Sequence, residues 1–221
     1  RKGRKGTSMV CFEIDYDYFY NHFWQPNAGR LVLGFSNCHL AWTEIFSVIK
    51  GSANSGISGL NKKEYLETVN TNGLSTTDQG AIFRIYRLYQ KWKTALGGYD
   101  LMDIVNYLIF HIESGRYEGP TLHYVMVDEV QDLTYATIKL LALVTRFNCF
   151  FSGDTAQCIT KGVSFRFSDM IDTVFRGSDK KPTLKQLTTN FRSHNNILQV
   201  AHSVVEVIED MFPNSIDRLE K

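Results

Sequence analysis

The sequence predicts an α/β protein: a parallel sheet with its helices, interrupted by a long helical insertion. Three observations predict it. LHYVMV, ending at Val127, is a compact apolar run; DLTYATIKLLALVTRF follows with helical spacing; NCFFSGD is a second apolar run ending in Gly-Asp. Strand, helix, strand at this separation is how parallel sheets are built. The stretch from about Leu40 to Gly119 is mostly helical. Finally, 221 residues that are 43% hydrophobic, with fifteen Phe, eleven Tyr and three Trp, can fill a core, which excludes a disordered chain.

The elements follow in order. LAWTEIFSVIK places Trp42, Ile45, Phe46 and Ile49 at helical steps. GSANSGISG, Gly51 to Gly59, reads as a surface connection. Leu60 to Val69 is short and polar. Ile82, Ile85, Tyr89, Trp92 and Leu96 share one face of a stronger helix, which Gly97 and Gly98 stop. Asp100 is placed to cap the next helix, with Asp103 favourable in its first turn. Leu101, Ile104, Val105, Leu108, Ile109 and Ile112 form that helix's predicted inner stripe, and Gly115 ends it. The continuous apolar character of LHYVMV predicts a strand covered on both faces. Thr134 is the candidate cap of the next helix. After a turn at Asp179–Pro182, a last helix is expected from near Ser193, turning Ile197, Leu198, Ala201, Val204, Val205 and Ile208 inward until Pro213 bars it.

Charge and cysteines set further bounds. With 24 basic and 23 acidic side chains the formal charge is +1, which excludes a globally polybasic nucleic-acid binder but not a local basic groove. No apolar run approaches the ~20 residues of a membrane span. Cys11, Cys38, Cys149 and Cys158 form no Cys-x-x-Cys pair, so neither a zinc site nor a disulfide framework is expected, and a cytosolic or nuclear compartment fits. The opening RKGRKGTSM reads as a solvated connecting segment or a phosphate-touching patch. The chain as a whole reads as a piece of a longer one.

Two adjacent carboxylates, Asp128 and Glu129, close the first predicted strand. In open α/β sheets ligands bind beyond the carboxyl ends of strands, so this placement matters more than the pair. Alone, Asp-Glu after a strand also reads as a solvated turn. Three motifs surround it: VDEVQD from Val127, GDTAQ from Gly153 and NFRS from Asn190. In order, they resemble motifs II, III and IV of the UvrD/Rep-type superfamily 1 helicases. GDTAQCITKGVSFRFSDM and the stretch from NFRSHNN onward are similar, more narrowly, to the helicase-like segment of the TPR and ankyrin repeat-containing protein family.

That resemblance implies a RecA-like P-loop NTPase core using ATP and Mg²⁺. Asp128 would hold the metal, Glu129 would orient the attacking water, Gln157 would sense the γ-phosphate, and Arg192 would reach it from a second lobe. Gln131, Asp132 and Asp154 would support the site from behind or serve structure alone. It implies a first RecA-like core over residues 1–39 and 120–180, an inserted helical subdomain over 40–119, and the start of a second RecA-like domain over 181–221.

The departures carry equal information. Where these helicases follow motif III with an aromatic surface for bases, this chain has CITKGVSFRF, with Thr160 and Gly162 at the near positions. Phe165 and Phe167, flanking Arg166, could restore a stacking platform for single-stranded DNA or RNA, or could be buried edge residues. No Gly-Lys dipeptide occurs, so a phosphate-cradling G-x-x-x-x-G-K-[ST] loop is absent from this stretch and would belong to the remainder of a larger chain. An ATP-driven helicase or translocase is therefore expected of the parent chain, with this stretch inactive by itself. The alternative is a degenerate helicase-like interaction or scaffold module.

Overall fold

The computed structural model describes residues 11–27, 35–68, 73–158, 165–176, 178–179 and 182–211. The basic opening segment, Thr160 to Gly162, Lys181 and Pro213 lie outside them. The order is α1 (Tyr16–Tyr18, continuing as a π-wound turn Phe19–Trp24), α2 (Cys38–Thr43, continuing π-wound over Glu44–Ile49), α3 (Lys62–Glu67), α4 (Thr76–Leu96), α5 (Leu101–Glu113), β1 (Val125–Val127), α6 (Tyr135–Val144), β2 (Cys149–Phe151), α7 (Phe167–Val174) and α8 (Asn195–Met211).

The first four helices share one core. Phe19, Phe23 and Trp24 are buried in one π turn, and Glu44, Ile45 and Ile49 in the other. Steps of four and five residues match an i→i+5 winding better than a 3.6-residue one, and Lys50 N–H donates to Ile45 O at 3.0 Å in that pattern. Their partners are Tyr65, Ile82, Ile85 and Tyr89; the Phe19 and Tyr89 rings meet edge to face at 5.2 Å. Residues 12–24 thus pack with the helices. Expected stops and caps are present: Gly97 is left-handed (φ 71°), Asp100 and Asp103 form a reciprocal capping box, and Gly115 is left-handed (φ 67°). The inner stripe of α5 is displaced, because Leu101 and Ile104 are exposed while Met102, Val105, Asn106 and Ile109 are buried.

The displacement has a polar cause. Lys50, with 0% of its side chain exposed, ends the π turn after α2 and donates to both Asp100 carboxylate oxygens and, at 2.6 Å, to Asp103. Lys93, near the end of α4, donates to Asp100 at 2.7 Å and also to Asp103. Tyr89 Oη donates to Asp100 at 2.9 Å. Two cations and two anions are locked between three helix ends. Beside them, Asn106 Nδ2 and Ser55 Oγ donate to Lys50 O at 2.9 and 2.8 Å. The stretch expected as a surface connection is therefore partly interior: Gly51, Ala53 and Ser55 are buried. A Cβ on Gly51 would lie 2.6 Å from Phe46 O, so the close turn needs glycine. Gly51 O accepts from Ala136 N at 2.8 Å and Ala53 O from Lys139 Nζ at 3.1 Å, which joins the helices to α6. Met102, Val105 and Ile109 of α5 pack on Ala136 at the same junction.

β1 and β2 are parallel, in register Val125↔Cys149, Met126↔Phe150 and Val127↔Phe151. Val127, Cys149 and Phe151 face a core of Val130, Ile138, Ala142, Phe165, Met170 and Val174. The expectation of a strand covered on both faces is corrected: Met126 is 71% and Phe150 51% exposed, because α6 and α7 pack on one face and no described element lies on the other. A full RecA-like sheet is thus not assembled among the described residues, which give a mixed, largely helical fold with a two-stranded parallel sheet. The last helix is corrected likewise. It starts near the expected place but buries no residue, with Ile197 and Val204 64% and 57% exposed.

Burial opposes the charge of Asp100, but the Lys50 and Lys93 ammoniums outweigh it and hold the carboxyl below its usual range. Its stabilising contribution is complete above the unfolded-state value near ~3.9 and is lost as pH falls through the lower folded value. Asp100→Asn leaves both ammoniums to Asp103 and should cost about 3–5 kcal/mol at neutral pH. Denaturant unfolding of the two proteins from pH 7 downward checks this: the gap narrows only once Asp100 protonates.

Candidate functional site

β1 stops at Val127, and the backbone then makes a sharp turn. Ser152 N donates to Val127 O at 2.8 Å and Val130 N to Ser152 O at 3.0 Å, so the two strand ends are stitched together. Glu129 itself is left-handed at φ 52°, ψ 45°, an uncommon conformation for a side-chain-bearing residue, and a short 3-10 turn, Val130–Asp132, follows. The turn exposes both carboxylates beyond the sheet edge.

Asp128 Oδ1 accepts from Ser152 Oγ at 2.6 Å and from Glu129 N at 3.1 Å. Those two donors, the hydroxyl foremost, hold its carboxyl below the usual range. Glu129 Oε2 accepts from Gln131 Nε2 at 2.7 Å. Gln131 is 2% exposed, and its Oε1 accepts from Asp154 N at 3.2 Å. Asp154 caps the turn Thr155–Gln157: its carboxylate accepts from Ala156 N at 2.9 Å and from Gln157 Nε2 at 2.8 Å. Asp132 is exposed, and its N–H donates to Glu129 O at 3.0 Å.

The structure thus brings Asp128, Glu129, Gln131, Asp154 and Gln157 into one hydrogen-bonded group at the strand ends. It does not bring Arg192 there. That residue is exposed, its N–H donates to Asn190 Oδ1 at 2.9 Å, and no ion pair among the described residues joins it to Asp128 or Glu129. Of the two readings of Phe165, the structure has the buried one: it is 1% exposed, stacked on Tyr135 at 5.9 Å and edge-on to Phe167 at 5.2 Å. Arg166 and Phe167 are half-buried. Ser152 escaped sequence reading. Its signal was the register, since Val127 opposite Phe151 sets Ser152 beside Asp128.

The donors at this edge are hard oxygens, which suit Mg²⁺ and not zinc. Among the described residues no three His, Cys, Asp or Glu side chains converge. One carboxylate, with water and ligand oxygens completing the shell, is how Mg²⁺ is commonly held, so Asp128 fits that ion.

A strand-end carboxylate pair, a Gly-Asp turn ending in Gln and a parallel strand pair are the features of one helicase class. Residues 20–171 match the UvrD/REP helicase N-terminal domain, and the chain belongs to that family. It is 32% identical over 235 residues to the TPR and ankyrin repeat-containing protein 1 of Homo sapiens, covering 99% of this chain and 8% of that protein. It is 30% identical over 140 residues to an ATP-dependent helicase/nuclease subunit of Streptococcus sanguinis (strain SK36), covering 58% of this chain and 11% of the relative. The chain is a UvrD-like helicase segment that spans about a tenth of each relative's length. No helix among the described residues is long and apolar enough to cross a membrane.

Ser152→Ala removes the strongest donor to Asp128, so the carboxyl should titrate at higher pH, read by carboxyl-carbon NMR, with the fold unchanged. Phe165→Ala should lower stability by about 3–5 kcal/mol, as loss of a buried ring does. A stable variant with weakened single-strand binding would return the ring to the surface role.

Proposed function

We propose that this chain supplies the hydrolytic edge of an ATP-driven UvrD-type motor, and that the parent chain couples ATP hydrolysis to binding of single-stranded DNA or RNA. The observation that carries the reading is the hydrogen-bonded group at the strand ends: two exposed carboxylates braced by Ser152 and Gln131 and tied to the turn that ends in Gln157. Family membership supports the same chemistry.

In this reading Asp128 holds Mg²⁺ with the help of water, its orientation set by the Ser152 hydroxyl. The metal, when bound, neutralises charge developing on the phosphate oxygens. Glu129 orients the attacking water and accepts its proton, with one carboxylate oxygen fixed by Gln131 and the other open to solvent. Gln157 lies at the mouth of the site, where an uncharged donor can read a terminal phosphate. Arg192 would join the site only on movement of the segment that carries it. An always-charged planar fork suits that task. The segment from about residue 181 is then the start of a second lobe, with ATP between the two, and the phosphate-cradling loop is supplied by the remainder of the larger chain. Arg166 and Phe167 remain the candidate nucleic-acid contacts.

A second reading, a helicase-like interaction or scaffold module, is favoured by one observation: Phe165 is committed to the core and offers no face to a base.

Glu129→Gln in the full-length protein should abolish ATP turnover while leaving ATP binding intact, measured by phosphate release and by equilibrium binding. Equal turnover in variant and wild type would remove the catalytic assignment of Glu129. The 221-residue chain alone should show no ATPase. Hydrolysis by the purified chain that disappears in Asp128→Ala would show that it needs no external phosphate loop.

A further inference from the structure

The Gln131 side chain lies between two groups that the sequence separates by more than twenty residues. It is nearly inaccessible, at 2% exposure, yet it ends at an exposed carboxylate. Its amide is used on both sides: Nε2 donates to Glu129 Oε2 at 2.7 Å, and Oε1 accepts from Asp154 N at 3.2 Å. Only one orientation of the amide satisfies both bonds. Flipped, it would turn its oxygen against a carboxylate and its NH₂ against an N–H. Its backbone oxygen also accepts from Cys158 Sγ at 3.8 Å, just past Gln157. Gly153 packs against the same amide so closely that a Cβ there would lie 2.3 Å from Oε1. The bonds then continue outward, from Asp154 Oδ2 to Gln157 Nε2 at 2.8 Å.

We infer that Gln131 is the positioning residue that couples Glu129 to the Asp154–Gln157 turn: its amide fixes one carboxylate oxygen of Glu129 and makes that position depend on where the turn carrying Gln157 sits. This rests on the function proposed above for Glu129 and Gln157, and adds the link between them. The link follows from burial. A half-satisfied amide in this place would leave a buried polar group unpaired, so displacement of the Asp154 N–H must either be followed by the amide or break it. If the amide follows, Glu129 Oε2 follows too. Gly153 has no side chain because the turn must approach the amide closely enough for the bond to form.

The two halves of the amide can be separated. Gln131→Glu keeps an oxygen acceptor for Asp154 N but replaces the donor to Glu129 with a second carboxylate. Gln131→Ala removes both bonds. Gly153→Ala displaces the amide without altering it. In the full-length protein, hydrogen exchange over residues 152–158 should quicken in Gln131→Ala and Gly153→Ala. Turnover should fall in all three, by roughly 10- to 100-fold, with KM for ATP little changed, as for loss of a residue that orients a catalytic group. Circular dichroism identifies any variant that fails to fold, and the remaining two carry the test. Wild-type turnover in Gln131→Ala, beside a dead Glu129→Gln, would overturn the coupling and leave the function of Glu129 standing. Normal turnover in Glu129→Gln would instead remove the function proposed for that residue. The exchange measurement, which needs no ATP, then decides the link alone: wild-type exchange in Gln131→Ala overturns it.

Discussion

The burial of Lys50 and Asp100 against each other constrains most of the structure. Neither charge could be interior alone, since an unpaired buried ion costs several kcal/mol. Together with Lys93 and Asp103 they bind the ends of α2, α4 and α5 to one point. Everything beyond inherits its place from that point. Lys50 O anchors Ser55 and Asn106, and the loop so held offers Gly51 O and Ala53 O to α6. α6 is the crossover between the two strands whose ends form the candidate site. The helical part is thus the abutment against which the α/β part is set. Lys50 itself is pushed down to about 8, chiefly by burial, whereas Lys93, also disfavoured by burial, is held above its usual value by Asp100 and Asp103. Asp100 is held low because both ammoniums touch it.

The site has a different logic. Its carboxylates are exposed, so their arrangement comes from the backbone and from neutral donors and not from counter-ions. Ser152 and Gln131 each give one donor to one carboxylate oxygen and leave the others free for a ligand. A cationic partner would have neutralised these carboxylates. Bracing by uncharged side chains keeps the negative charge available.

Local grammar was legible in the sequence, and long-range pairing was not. Asp100 and Thr134 cap their helices as their positions suggest, and Gly97 and Gly115 end theirs, because such effects act within a single turn. The strand–helix–strand order and the carboxylates at the strand end were legible for the same reason. The Lys50–Asp100 contact spans fifty residues of chain, and nothing in LAWTEIFSVIK marks its last residue as interior. The same contact turns α5, which is why apolar spacing alone chose Leu101 and Ile104. For α8 the apolar stripe was real but its partner surface is not among the described residues, so periodicity stated a tendency and not a burial. Phe165 illustrates the reverse: two aromatics around an arginine looked like a place for bases, and a neighbouring ring, Tyr135, had already taken one of them.

The left-handed backbone at Glu129 sets a local strain against a local bond. That conformation costs a residue with a Cβ about 1–2 kcal/mol, which glycine would not incur and asparagine would feel less. Glycine there would relieve that strain, but it would leave Gln131 Nε2, part of a buried amide, without its acceptor. Glutamate there sits between two opposed local effects, a strained backbone and a hydrogen bond from a buried amide.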